Sequence, residues 1–150
     1  MPLHVSIHHD GWVGENPKEY TRDPRVHGRF ESAFVELIQL KEADFKPSMG
    51  SAKVLADPWT AIMEHIAMSF SHVEDVYVLD KANAYDNKDH EAARKLVYLL
   101  LAKSSDLLRD LTYTAWEQSA QPTKFDRANN PISLSHPRFN PATGTAPPER

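Results

Sequence analysis

Two long stretches of the chain, residues 57–82 and 88–119, carry apolar side chains at three- and four-residue steps. That spacing places the apolar residues on one face of an α-helix. An Asp-Pro pair precedes the first stretch and also a third, shorter pattern over 24–41, and this pair is typical of a helix start. The sequence therefore predicts an all-α fold, a helical bundle of about three helices. The predicted core-facing stripe of the first stretch consists of Trp59, Ile62, Met63, Ile66, Phe70, Val73 and Tyr77.

The two ends of the chain differ from this helical middle. Residues 1–23 are rich in turn formers and predict a loop at the start of a helical domain that covers 1–119. Residues 120–150 hold six of the eleven prolines. Because such a composition buries too little apolar surface to fold by itself, we expect an extended Pro-rich tail.

Composition excludes several classes of protein and site. The chain has no cysteine, so it forms no disulfide, and any metal must be held by His, Asp or Glu. Its net charge of -4 argues against stable binding along a nucleic-acid backbone. No apolar run approaches the roughly 18 residues of a transmembrane helix, so we expect no transmembrane segment.

The candidate functional residues are concentrated in the first part of the chain. His27 and Glu31 are four residues apart, so on a helix their side chains point the same way. Together with His4 they provide two imidazoles and one carboxylate. This is the ligand set of an open catalytic zinc site, in which one coordination position is left for water or substrate. The same set also suits non-haem iron.

Four polar residues lie in the loop between these ligands, namely His8, His9, Asp10 and Asn16. They are candidates to touch a substrate or to hold the ligating histidines in orientation. The alternative interpretation is a flexible polar loop without a role in the site.

The order of these features resembles a known family. Pro2-Leu3-His4-Val5 is followed by a glycine-containing loop from Asp10 to Asn16, and then by the pair His27 and Glu31. This order is similar to that of the trinuclear-zinc phosphodiesterases, which comprise the single-strand-specific nucleases (S-one/P-one type) and bacterial zinc-dependent phospholipase C. The resemblance is strongest over 1–31.

This resemblance implies that His4, His27 and Glu31 hold one of three zincs, the one that shares no ligand with the other two. The implied substrate is a phosphodiester, in single-stranded nucleic acid or in a phospholipid. Family nucleases usually carry Asp where this chain has Glu31, and Glu is closer to the phospholipase form. Full-length members are typically secreted or periplasmic.

The other zinc ligands of the family lie upstream of the matching segment, and Met1 stands where Gln precedes Pro-Leu-His in the family. The chain is therefore expected to be the C-terminal portion of such an enzyme. We expect it to bind one zinc strongly and to have little phosphodiesterase activity alone, and we assign no catalytic residue in it.

Two alternatives stay open on the sequence. The first alternative is that the chain is a non-catalytic helical interaction module, in which the histidines are structural or vestigial and the tail binds a partner. A rival metal site on the predicted second helix would use His65, His72 and Asp75. His65 and His72 share one flank of that helix, whereas Asp75 is expected to turn away from it.

Overall fold

The computed structural model describes residues 1–119, and within that range the chain is all-α, with helices and turns and no strand. The prediction of an all-α fold is thus confirmed. Internal contacts divide the chain into residues 1–115 and 116–150. The tail predicted over 120–150 lies outside the described residues.

The first helix, α1, covers residues 25–37 in three consecutive segments, Arg25–Gly28, Arg29–Ala33 and Phe34–Leu37. The Asp23 carboxylate caps it by accepting a hydrogen bond from the backbone N–H of Arg25 at 2.9 Å. The middle segment is a π-helical turn. Helix α1 ends four residues before the predicted end at 41, because the chain enters the left-handed region at Gln39, with φ of 50°.

The predicted second helix over 57–82 is interrupted at His72. It forms α3, Pro58–Ser71, and α4, Val73–Lys81, after a short helix α2, Glu42–Phe45. The Asp57 side chain accepts a hydrogen bond from the backbone N–H of Trp59 at 3.0 Å, so α3 begins as the Asp-Pro pair predicts.

The apolar stripe predicted for this region is buried only in its second half. Val73 and Tyr77 on α4 belong to the core. The prediction is wrong for the α3 half, where the break at His72 separates the exposed stripe from the buried one. The large apolar side chains left exposed on α3 are Trp59, Met63, Ile66 and Phe70.

The last helix, α5, runs over Glu91–Ser119, starting three residues after the predicted position. Its Asp106, Asp110 and Thr114 side chains accept hydrogen bonds from backbone N–H groups of residues 50–55. The chain between α2 and α3 is thereby attached along α5. Within residues 1–119, no helix has the length and apolarity needed to cross a bilayer.

Helix α1 is joined to α4 by both packing and charge. Phe30 and Phe34 on α1 are fully buried in the same core cluster as Tyr77. On the neighbouring face, the Arg29 guanidinium forms two hydrogen bonds with the Asp80 carboxylate, at 2.8 and 2.9 Å. Two parallel charge-assisted bonds fix orientation as well as distance. The helix that carries His27 is therefore held rigidly against the core.

Candidate metal centre

The three residues predicted as ligands come together at the start of α1. His4 lies on a 3-10 turn, Pro2–Val5, whose Leu3 side chain is completely buried. On α1, Val26 and Phe30 point into the core, so the residues that follow each of them, His27 and Glu31, face the 3-10 turn.

The three donor atoms form a nearly regular triangle. The Nε2 atom of His4 lies 2.9 Å from Oε2 of Glu31 and 3.1 Å from Nε2 of His27. The third side, from Nε2 of His27 to Oε2 of Glu31, is 3.2 Å. Tetrahedral zinc with bonds of about 2.0–2.1 Å requires its donor atoms to be about 3.3 Å apart. The donor triangle therefore has nearly the dimensions of one face of a zinc coordination sphere.

Hydrogen bonding alone accounts poorly for this arrangement. Nε2 of His4 and Nε2 of His27 face each other and share a single carboxylate oxygen. The other oxygen of Glu31, Oε1, is buried and has no hydrogen-bond partner among the described residues 1–119. An unpartnered buried carboxylate oxygen costs about 1–3 kcal/mol or more. A divalent cation would neutralise the carboxylate and engage all three lone pairs at once, so the donor set fits zinc.

The three side chains differ in how far they are exposed to solvent. The His4 side chain is 52% exposed and that of His27 is 29% exposed, whereas that of Glu31 is only 12% exposed. The carboxylate forms the floor of the cluster, and the imidazoles form its solvent-facing rim.

A third histidine, His9, also belongs to the cluster. Its ring centroid lies 4.2 Å from that of His27 and 4.9 Å from that of His4. Candidate donor atoms of His4, His9 and His27 all lie within 4.8 Å of one another. The Nδ1 atom of His9 is 2.7 Å from Oδ1 of Asp10. The sequence indicates His9 and Asp10 as residues that touch a substrate or orient the ligating histidines, and not as ligands. The sequence signal for a ligand role of His9 is that an Asp directly follows it.

His8 points away from the cluster and holds the loop in place. Its ring stacks on Trp12 with centroids 4.0 Å apart, and its Nδ1 accepts a hydrogen bond from the backbone N–H of Val13. Burial lowers the pKa of His8 below its ordinary value, which favours the neutral form that this acceptor role requires. The Tyr77 hydroxyl donates to the His8 carbonyl oxygen. The structure thus gives His8 a role in holding the loop and does not place its ring among the donor atoms of His4, His27 and Glu31.

Asn16 likewise closes the loop on itself. Its amide accepts from the backbone N–H of Tyr20 at 2.8 Å and donates to the Tyr20 carbonyl at 2.7 Å. Both ends of the amide are therefore occupied within the loop, and Asn16 has no contact with the three ligands in the structure's hydrogen-bond network.

Gly11 fixes the path of the chain immediately after Asp10. It adopts φ of 105°, a conformation that residues with a Cβ rarely adopt. A Cβ at this position would lie 2.5 Å from the carbonyl oxygen of Arg22. Only glycine lets the loop pass this close to the segment before α1, and that passage brings His9 to His27.

The rival site is not assembled. Within residues 1–119, His65, His72 and Asp75 do not form a group with donor atoms all within 4.8 Å of one another, as His4, His9 and His27 do. Contrary to expectation, Asp75 does not turn away from His72, since its carboxylate lies 2.7 Å from the His72 ring. His65 lines a separate groove between α3 and α5.

Comparison with known proteins finds no relative of this chain. The chain matches no protein-family model, no curated protein and no solved structure.

Proposed function

We propose that this chain carries one zinc position of a zinc-dependent phosphodiester hydrolase of the nuclease or phospholipase C type. The observation that supports this most strongly is the donor triangle of His4, His27 and Glu31, with sides of 2.9, 3.1 and 3.2 Å. The resemblance of residues 1–31 to the trinuclear-zinc phosphodiesterases supplies the reaction class. Within residues 1–119, Oε1 of Glu31 is buried without a hydrogen-bond partner, so the carboxylate charge is incompletely compensated, and this supports a cation at this place.

The chain's own residues have distinct parts in such a site. His4 and His27 would donate neutral imidazole nitrogens, and Glu31 would supply the negative charge that lowers the net charge of the metal position. Bound zinc polarises a phosphoryl oxygen and lowers the pKa of bound water toward about 7. His4 is the most exposed of the three side chains, and the largely enclosed Glu31 would keep the donor set in one orientation.

The test combines metal content with activity. Purified chain is stripped of metal and titrated with zinc, and metal per chain is measured after removal of free ions. We expect one tightly bound zinc and weak hydrolysis of a simple chromogenic phosphodiester, bis(p-nitrophenyl) phosphate. His27→Ala should abolish tight binding, while His65→Ala, the same change outside the cluster, should leave it intact.

Three results would contradict the proposal. Equal zinc affinity of His27→Ala and wild type would show that the trio is not the metal position. Absence of any tight zinc binding by the folded wild-type chain would favour a non-catalytic helical module. Three tightly bound zincs per chain would refute the assignment of a single position to these residues.

A further inference from the structure

His9 is placed to do more than line the cluster. Its donor atom lies within 4.8 Å of those of both His4 and His27, and its ring is as close to His27 as the rings of His4 and His27 are to each other. It comes from the loop and not from α1 or the 3-10 turn, so it approaches the donor triangle from an independent direction.

We propose that His9 is a fourth protein ligand of the zinc position, one that caps the coordination site which the other three leave open. The inference rests on the zinc position proposed above and deepens it. With His9 bound, the position is filled by three imidazoles and one carboxylate. An anion must then displace His9 to reach the metal.

Asp10 prepares His9 for this role. The Nδ1 atom of His9 lies 2.7 Å from the Asp10 carboxylate, so Nδ1 carries the proton and donates it to Oδ1. The free lone pair of the neutral ring is then on Nε2, the atom available to a metal. A carboxylate that holds the second nitrogen of a ligating histidine is the usual arrangement in zinc proteins, and it strengthens the ligand.

The distances allow His9 to close the site with a small movement. Donor atoms on zinc are about 3.3 Å apart, so the separations of at most 4.8 Å among the donor atoms of His4, His9 and His27 exceed the requirement by at most about 1.5 Å. The loop that carries His9 is anchored on both sides, by Tyr77 at the His8 carbonyl and by Gly11 against Arg22. We expect the side chain of His9, rather than the backbone, to make this movement.

Cobalt substitution tests the number of histidine ligands in the unaltered protein. The metal-free chain is loaded with one equivalent of Co²⁺, and its hyperfine-shifted, exchangeable imidazole N–H signals are counted by proton NMR. A site that includes His9 gives three such signals, one from each ligating ring. A site made of His4, His27 and Glu31 alone gives two, and that count would overturn the proposal.

Two variants extend the test to affinity. His9→Ala should weaken zinc binding by at least about tenfold, and Asp10→Asn, which retains the ligand but weakens its support, by about tenfold. His65→Ala is the matched control and should change nothing. In the cobalt protein, His9→Ala should bind inorganic phosphate at least about tenfold more tightly than wild type, because no side chain has to be displaced.

His9→Ala should weaken zinc binding but strengthen phosphate binding. These opposite effects distinguish a capping ligand from a structural residue. Loss of a structural residue would weaken metal and phosphate binding together. If His9→Ala keeps wild-type zinc affinity while His27→Ala loses it, the capping role is refuted and the zinc position stands. If neither wild type nor any variant binds zinc tightly, the proposed function itself fails, and the capping role fails with it.

Discussion

Replacement of Glu31 by Gln should change stability in opposite directions with and without zinc. Without metal, the wild-type chain buries a carboxylate with one oxygen unpartnered and a side chain only 12% exposed. Glu31→Gln removes that buried charge. We therefore expect the metal-free variant to be as stable as wild type, or more stable by up to about 1 kcal/mol.

Saturation with zinc should reverse this order. At a free zinc concentration 100 times its Kd, the wild-type chain gains about 2.7 kcal/mol. If loss of the carboxylate weakens binding about a hundredfold, the variant gains only about 0.4 kcal/mol at the same concentration. The difference of about 2.3 kcal/mol corresponds to about 8 °C in Tm for a chain of this size.

The assay is thermal unfolding followed by circular dichroism at 222 nm, with chelator and with zinc. Glu36→Gln is the matched control, since Glu36 lies on the same helix and is exposed. It should respond to zinc as wild type does. If Glu31→Gln lowers the Tm equally in chelator and in zinc, the carboxylate is a structural residue and the metal argument for it is wrong.

Three further predictions concern the loop, the first helix and the core. Gly11→Ala should destabilise the chain by at least about 1–3 kcal/mol in urea unfolding, because it combines φ of 105° with a Cβ 2.5 Å from the Arg22 carbonyl oxygen. Gly28→Ala should stabilise it by about 0.5–1 kcal/mol, since this helical glycine has open space where a Cβ would lie. Burial raises the pKa of Tyr77 from 10.0 to about 12, so its neutral form contributes stability that is complete below pH 10 and is lost as the pH rises through 12. Urea unfolding from pH 9 to 12 measures this loss.

Matched variants separate the causes in each case. Gly14 also has positive φ but has no neighbour near a Cβ, so Gly14→Ala should cost less than Gly11→Ala. Equal costs would show that the contact with Arg22 is irrelevant. A destabilising Gly28→Ala would contradict the open space at that position. Tyr77→Phe should lose less stability than wild type between pH 10 and pH 12, and an identical loss would assign the effect to other groups.

The helices could be predicted from the sequence where local signals and packing agree. On the first half of α5, Ala93, Val97 and Leu100 follow the predicted helical period and are buried, whereas Leu108 in the second half of the same pattern is 69% exposed. The Asp-Pro pairs mark the starts of α1 and α3 because capping is a local interaction. The break at His72 was not predictable, since the apolar period continues through it and no Gly or Pro marks it.

The candidate site could also be predicted from the sequence only in part. The pairing of His27 with Glu31 follows from helix geometry and could be predicted from their spacing. The position of His9 depends on the unusual backbone of Gly11 and on the anchoring of His8 by Tyr77, which lies 69 residues further along the chain. A loop path set by such a distant contact cannot be read from the local sequence.

The most direct test of the zinc position is anomalous X-ray diffraction from zinc-loaded crystals, recorded on both sides of the zinc absorption edge. We predict one strong anomalous peak within about 2.0–2.2 Å of Nε2 of His4, Nε2 of His27 and a carboxylate oxygen of Glu31. Fully loaded crystals without a peak at these atoms, or with the peak at His65 or His72, would contradict the account.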